Sequence, residues 1–192
     1  MPASSFSNDQ LREFVIAGHW NLPVVKEMLA KSPDMLNARY QWGENDHETA
    51  VQAAAHVGSP HVAEFLLEQG APLEICTAAM LGRQPDVERL LQEDPALINA
   101  HGAHGIPLMA HAALSGNVQL ARMLFERGAH EDLSFALSNA VGKGHLEMSR
   151  WLLETGQPDL GWKDFQGKTA LEIATDAQND QLVGLLNEYG TG

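Results

Sequence analysis

The stretch GKTALEIATDAQNDQLVGLLNEYG, Gly167 to Gly190, decides the fold, because the chain repeats it in altered form. Its clearest relative is ETAVQAAAHVGSPHVAEFLLEQGA, Glu48 to Ala71, and a third copy is IPLMAHAALSGNVQLARMLFERGA, Ile106 to Ala129. Self-similarity at a period of roughly 33 residues marks a stacked array, in which each unit buries its apolar face only against its neighbours.

Each copy reads as a helix, a tight turn and a second helix. A small pair in the first helix sets the register: Ile16-Ala17, Ala54-Ala55, Ala78-Ala79, Ala112-Ala113, Ala140-Val141 and Ala174-Thr175. Small side chains at these places let neighbouring helices approach closely. A glycine follows at Gly58, Gly82, Gly116 and Gly144, where the second helix is expected to open. Apolar pairs at helical spacing then fill that helix, as in Val62-Ala63 with Leu66-Leu67 and Leu120-Ala121 with Leu124-Phe125. Gly70, Gly128, Gly156 and Gly190 stand where a left-handed helix cap is expected. In LAKSPDMLNAR (Leu29 to Arg39) and LQEDPALINAH (Leu91 to His101) a proline turn takes that role.

The pattern G-x-T-x-L-x-x-A, a Gly-His turn and paired Val and Leu positions resembles the ankyrin repeat. Gly144-His145 matches the family's turn, and Asp164 to Thr169 matches its hairpin. The resemblance covers about residues 8 to 190 in six copies, with expected boundaries 8–39, 40–71, 72–100, 101–130, 131–159 and 160–190. It implies one all-α domain, an α-solenoid with short β-hairpin fingers and a concave face of fingers and first helices. The small pairs begin at 16, 54, 78, 112, 140 and 174, so the spacings are 38, 24, 34, 28 and 34. The third and fifth copies are therefore short, and the missing residues fall where a finger should be. The second finger, Tyr40 to His47, is enlarged instead. Long fingers flanking two gaps are expected to leave a pocket on the concave face.

Composition narrows the function classes. The net charge of −13 argues against nucleic acid and anionic membrane surfaces, and favours a partner with a basic surface. No apolar run approaches the roughly 20 residues that span a bilayer. The N-terminal MPASSFSNDQ has no basic segment followed by an apolar core, so no signal peptide is expected. Cys76 is the only cysteine, which excludes an intrachain disulfide and fits a cytoplasmic setting. It is expected to be a small packing residue.

The repeat register nominates contact residues. The resemblance implies that finger positions and the ends of first helices touch partners. These are Tyr40, Trp42, Asp46, Glu48, His56, Met80, His104, His111 and Phe165, with Gly18 and His19 from the first copy. Glu48 with His56, His104 and His111 has the chemistry of a divalent-metal or acid–base site, since neutral imidazole and carboxylate are good ligands and His titrates near neutral pH. Their spacing matches no metal signature, no H-E-x-x-H occurs, and the structural alternative is hydrogen-bonded struts between fingers. Gly167-Lys168-Thr169 resembles the end of a phosphate loop, but Trp162 stands where the upstream glycine is required. No Gly-x-Ser-x-Gly elbow occurs. The leading expectation is a protein-interaction module without cofactor or enzymatic activity, with Trp42 as an anchor. The alternative is a small-molecule or metal site, possible enzyme chemistry included, between the long fingers.

Overall fold

The computed structural model describes residues 6–190. Among the described residues, six helix pairs follow one another. The first helices are α1 (Asn8–Trp20), α3 (Ala50–Val57), α5 (Ile75–Met80), α7 (Leu108–Ser115), α9 (Leu133–Gly142) and α11 (Ala170–Asp176). The second helices are α2 (Leu22–Lys31), α4 (Pro60–Glu68), α6 (Gln84–Glu93), α8 (Val118–Glu126), α10 (Leu146–Gly156) and α12 (Asp180–Gly190). Each first helix packs on the next first helix, from α1 on α3 through α9 on α11. The result is an all-α solenoid.

Local chemistry explains the ends. Ser7, Thr49 and Thr169 cap their helices reciprocally with Gln10, Gln52 and Glu172. Gly58 and Gly116 do not open second helices; they close first helices in the left-handed conformation. Gly70 and Gly128 have φ of 99° and 107°, as their cap role requires. Gly156 and Gly190 differ from expectation. Both are the last residues of their helices, and Gln157 carries the left-handed cap of α10 at φ 45°. One contact sets the first helix spacing. A Cβ on Gly18 would lie 2.6 Å from the Ala50 carbonyl oxygen, so only glycine lets α1 sit this close to α3.

The fingers are uneven. The second is a true hairpin, β1 (Arg39–Gly43) paired antiparallel with β2 (Asp46–Thr49). The fourth keeps one bridge, His101 with Pro107, and the last is a turn closed by Asp164 N–H on the Lys168 carbonyl at 2.9 Å. The third and fifth copies have no strand among the described residues: their first helices start directly at Ile75 and Leu133.

Over the third copy, where a pocket is expected, the neighbouring fingers meet. Because α5 brings no finger, the fourth finger folds against the second, and His104 Nδ1 lies 2.7 Å from Asp46 Oδ2. α3 likewise reaches past α5 to touch α7. Over the fifth copy, Phe135 stacks on Trp162 with ring centroids 5.3 Å apart, and the Ser134 hydroxyl accepts the Asp159 N–H at 2.9 Å. Missing backbone is replaced by contact, not by void. Apolar burial drives this: leaving those faces open would cost roughly 25 cal/mol for each Å² exposed. A cleft of about 80 Å³ lies among Pro107, Met109 and His130, and a 430 Å³ groove runs between α8 and α10. Neither is lined by the nominated histidines.

Candidate functional site

Glu48 is the centre of the most unusual side-chain cluster. It is the third residue of β2, and its side chain is 0% exposed. A buried carboxylate demands compensation. Oε2 accepts the Trp42 indole N–H at 2.7 Å, supplied by the facing strand β1. Oε1 has no hydrogen-bond partner. His56 Nε2 is only 2.9 Å away, close enough for strong attraction but off the hydrogen-bond direction. Burial would raise the Glu48 carboxyl, yet His56 and the Trp42 N–H outweigh it and hold it below the ordinary carboxylate range.

Helix geometry explains why these residues meet. Glu48, Gln52 and His56 are spaced by four, so they share one face of α3 and of the turn leading into it. His56 points back toward the helix N-terminus, and so toward Glu48. His19 comes from the end of α1, which Gly18 presses against α3. Its Nε2 lies 3.1 Å from His56 Nε2 and 4.0 Å from Glu48 Oε2. Its Nδ1 donates to the Val15 and Ile16 carbonyls at 3.0 and 3.1 Å, which leaves Nε2 as a bare acceptor. Burial pushes His19 down, and the Glu48 charge does not cancel that effect.

His104 closes the cluster from the fourth finger. It adopts φ 58°, a left-handed conformation uncommon outside glycine and costly by about 1 kcal/mol or more. That conformation lets Nδ1–H donate to Asp46 and turns Nε2 toward Glu48 Oε1 at 3.5 Å. His19, Glu48 and His56 alone bring three ligand-type atoms within 4.8 Å of one another.

The other nominated residues are placed apart from this centre. His111 is fully buried in the core, and its Nδ1 donates to the Pro107 carbonyl at 3.0 Å. Its Nε2 has no partner, and burial pushes the imidazole down to about 4, so the ring is neutral. Gly102 is glycine because a Cβ would lie 2.6 Å from that ring. His111 therefore serves as a strut and does not face a partner. Met80 is also corrected: it is 3% exposed and packs in the core with Val51, Ala54 and Leu114. Cys76 is buried, and desolvation raises its thiol to about 12, which removes the thiolate that reactivity needs. His47 points to solvent.

Tyr40 packs edge-on against Trp42 at 4.7 Å, so Trp42 is a wall of the cluster as well as a surface residue at 37% exposure. Trp20, beside His19, is 69% exposed, and Phe165 at the tip of the last finger is 91% exposed. The repeat register nominates His19 as a contact residue but does not group it with Glu48 and His56. The signal was present: in the repeat register His19 falls beside Val57, one residue from His56.

Fold and cluster together define a helical repeat solenoid with a polar site on its inner helices and fingers. The family description "Ankyrin repeats (3 copies)" matches residues 110–191, and "Ankyrin repeat" matches residues 46–78. An ankyrin repeat protein of Fowlpox virus (strain NVSL) is 28% identical over 126 residues, which are 62% of this chain and 28% of that one. An ankyrin repeat-containing protein of Treponema pallidum (strain Nichols) is 29% identical over 133 residues, 65% of this chain and 44% of that one. The chain thus spans less than half the length of these relatives. It belongs to the ankyrin repeat family. Ankyrin repeats are generally protein–protein interaction modules. Among the described residues no helix is long and apolar enough to cross a membrane.

Proposed function

We propose that this chain binds a protein partner through its concave face, with the fingers and the ends of the first helices as the contact strip. The observation that carries the reading is the exposure of Phe165 and Trp20, at 91% and 69%, at two places on that strip. Large rigid aromatics desolvate strongly at low entropic cost, and such residues dominate interface energies. Nothing in the intramolecular packing requires Phe165 at a finger tip. The net charge of −13 favours a basic partner surface and an association that weakens with salt. Trp42 is a secondary anchor, since its indole N–H is already committed to Glu48.

The test is affinity capture from the native cells with wild type and a Trp20→Ala/Phe165→Ala variant in parallel, followed by titration of the recovered partner. Loss of roughly 2 kcal/mol or more of affinity, about 30-fold, is expected, with melting unchanged. Equal affinity for the variant would refute the reading. So would loss of binding on reversing the charges of Arg122 and Arg150 on α8 and α10.

A further inference from the structure

We infer that His19, Glu48 and His56, joined by His104, form a binding site for one divalent transition-metal ion of the zinc type, which fastens the first, second and fourth repeats to one another. This assignment is independent of the partner-binding reading.

Donor and acceptor bookkeeping carries the argument. His19 spends its Nδ1–H on helix carbonyls, and His104 spends its Nδ1–H on Asp46. Each then presents an Nε2 lone pair to the cluster interior. Glu48 Oε1 presents another, is fully buried, and has no hydrogen bond. Three acceptors therefore converge, and His56 Nε2–H is the one donor among them. It is aligned with His19 Nε2 at 3.1 Å, and Glu48 Oε1, which has no hydrogen bond, faces His104 Nε2 at 3.5 Å. A cation at the centre converts this mutual repulsion into attraction. It also makes His56 Nε2 a ligand: the ring's one proton moves to Nδ1 by exchange with solvent, and the imidazole stays neutral.

The spacing suits such an ion. Ligands at 2.0–2.1 Å around a tetrahedral zinc stand about 3.3 Å apart. The separations here are 2.9 Å (His56 to Glu48 Oε1), 3.1 Å (His56 to His19) and 3.5 Å (His104 to Glu48 Oε1), with His19 4.0 Å from the other Glu48 oxygen, Oε2. Ligand atoms of His19, Glu48 and His56 all lie within 4.8 Å of one another, and His104 joins them through its approach to Glu48 Oε1.

The surroundings suit it as well. Metal-bound histidines ordinarily donate their second N–H to a carbonyl or carboxylate, which fixes the ring and its tautomer. His19 does so through Val15 and Ile16, and His104 through Asp46. The left-handed backbone at His104 serves both ends of its ring, holding Nδ1 on Asp46 and Nε2 toward Glu48. Three imidazoles and one carboxylate favour zinc and its neighbours over calcium or magnesium, which prefer oxygen alone. His19 and His56 retain slight solvent contact, with side chains 12% and 14% exposed, so an ion has a path in.

The experiment uses the full chain, made without a polyhistidine tag and stripped with a chelator. Zinc is titrated calorimetrically, cobalt(II) is titrated with visible absorption, and thermal melting is followed with and without zinc. One zinc per chain, cobalt bands of a nitrogen- and oxygen-ligated site without a thiolate band, and a zinc-dependent rise in melting temperature are expected. Glu48→Gln and His56→Asn should each lose binding more than about 100-fold. Asp46→Asn should lose about 10- to 100-fold by releasing His104. His130→Ala, outside the cluster, should bind like wild type. Absence of stoichiometric zinc binding to the wild type overturns the assignment. So does retention of wild-type affinity in Glu48→Gln or His56→Asn. Should those variants fold poorly, the wild-type cobalt spectrum decides alone: no ligand-field bands means no site.

Discussion

Acid should destabilise this fold through one buried ring, His111. The imidazole is held neutral, its Nδ1–H on the Pro107 carbonyl and its Nε2 without any partner, and its folded pKa is about 4. In the unfolded chain it titrates near 6.5. Between those values the unfolded state binds the extra proton, so stability is fully present above about pH 6.5 and falls as the pH drops toward 4. Linkage gives a loss of about 2 kcal/mol between pH 7 and pH 5 from this group alone. The perturbation is His111→Leu, which keeps the volume and removes the titration. Its own cost at pH 7 is expected to be about 1–3 kcal/mol, from the hydrogen bond and the altered shape. The assay is urea unfolding followed by circular dichroism at pH 7 and pH 5, with chelator present to keep metal out of the comparison. His19, also pushed down by burial, adds acid sensitivity to both proteins and cancels in the difference. The wild type should lose about 2 kcal/mol more than the variant. Identical losses would refute the neutral-strut account of His111.

Gly18→Ala should destabilise by roughly 1–3 kcal/mol in urea unfolding, because the new methyl meets the Ala50 carbonyl at 2.6 Å and must push α1 off α3. Trp42→Phe keeps the aromatic wall but strips Glu48 Oε2 of its donor, leaving a buried carboxylate with neither oxygen hydrogen-bonded; a loss of about 1–3 kcal/mol is expected by the same measurement. Phe165→Ala should leave the unfolding free energy within about 0.5 kcal/mol, as its side chain is exposed; a larger loss would mean that the finger tip is structural and not a contact residue.

The fold was legible because a paired position in the first helix recurs in all six copies and apolar pairs at helical spacing follow it. Thr49 with Gln52 and Thr169 with Glu172 form capping boxes that fix two of the helix starts. Short copies were legible too, but their consequence was not. Counting residues shows that a finger is missing; it does not show that His104 will cross the space to Asp46. That contact depends on a left-handed backbone at a histidine, a conformation only a few per cent of non-glycine residues adopt. The site was legible by residue type and only partly by membership. Glu48, His56 and His104 stood in the register, whereas His111 shares their chemistry but lies one layer deeper, among buried neighbours of α7. His19's place beside Glu48 is not legible, because its partner is 37 residues away and depends on how closely Gly18 lets two helices approach.

The closure of the second and fourth fingers over the short third copy has a mechanical meaning. Arrays whose units touch only their neighbours peel apart from the ends, one unit at a time. Here His104 reaches Asp46, and Lys143, from the fifth copy, donates to the Gly58 carbonyl of the second at 2.9 Å. These links skip over intervening units and run in parallel with the ordinary stack. Under tension applied at the two ends, copies two to five share the load. They should yield together in a single rip, not as a staircase of equal steps.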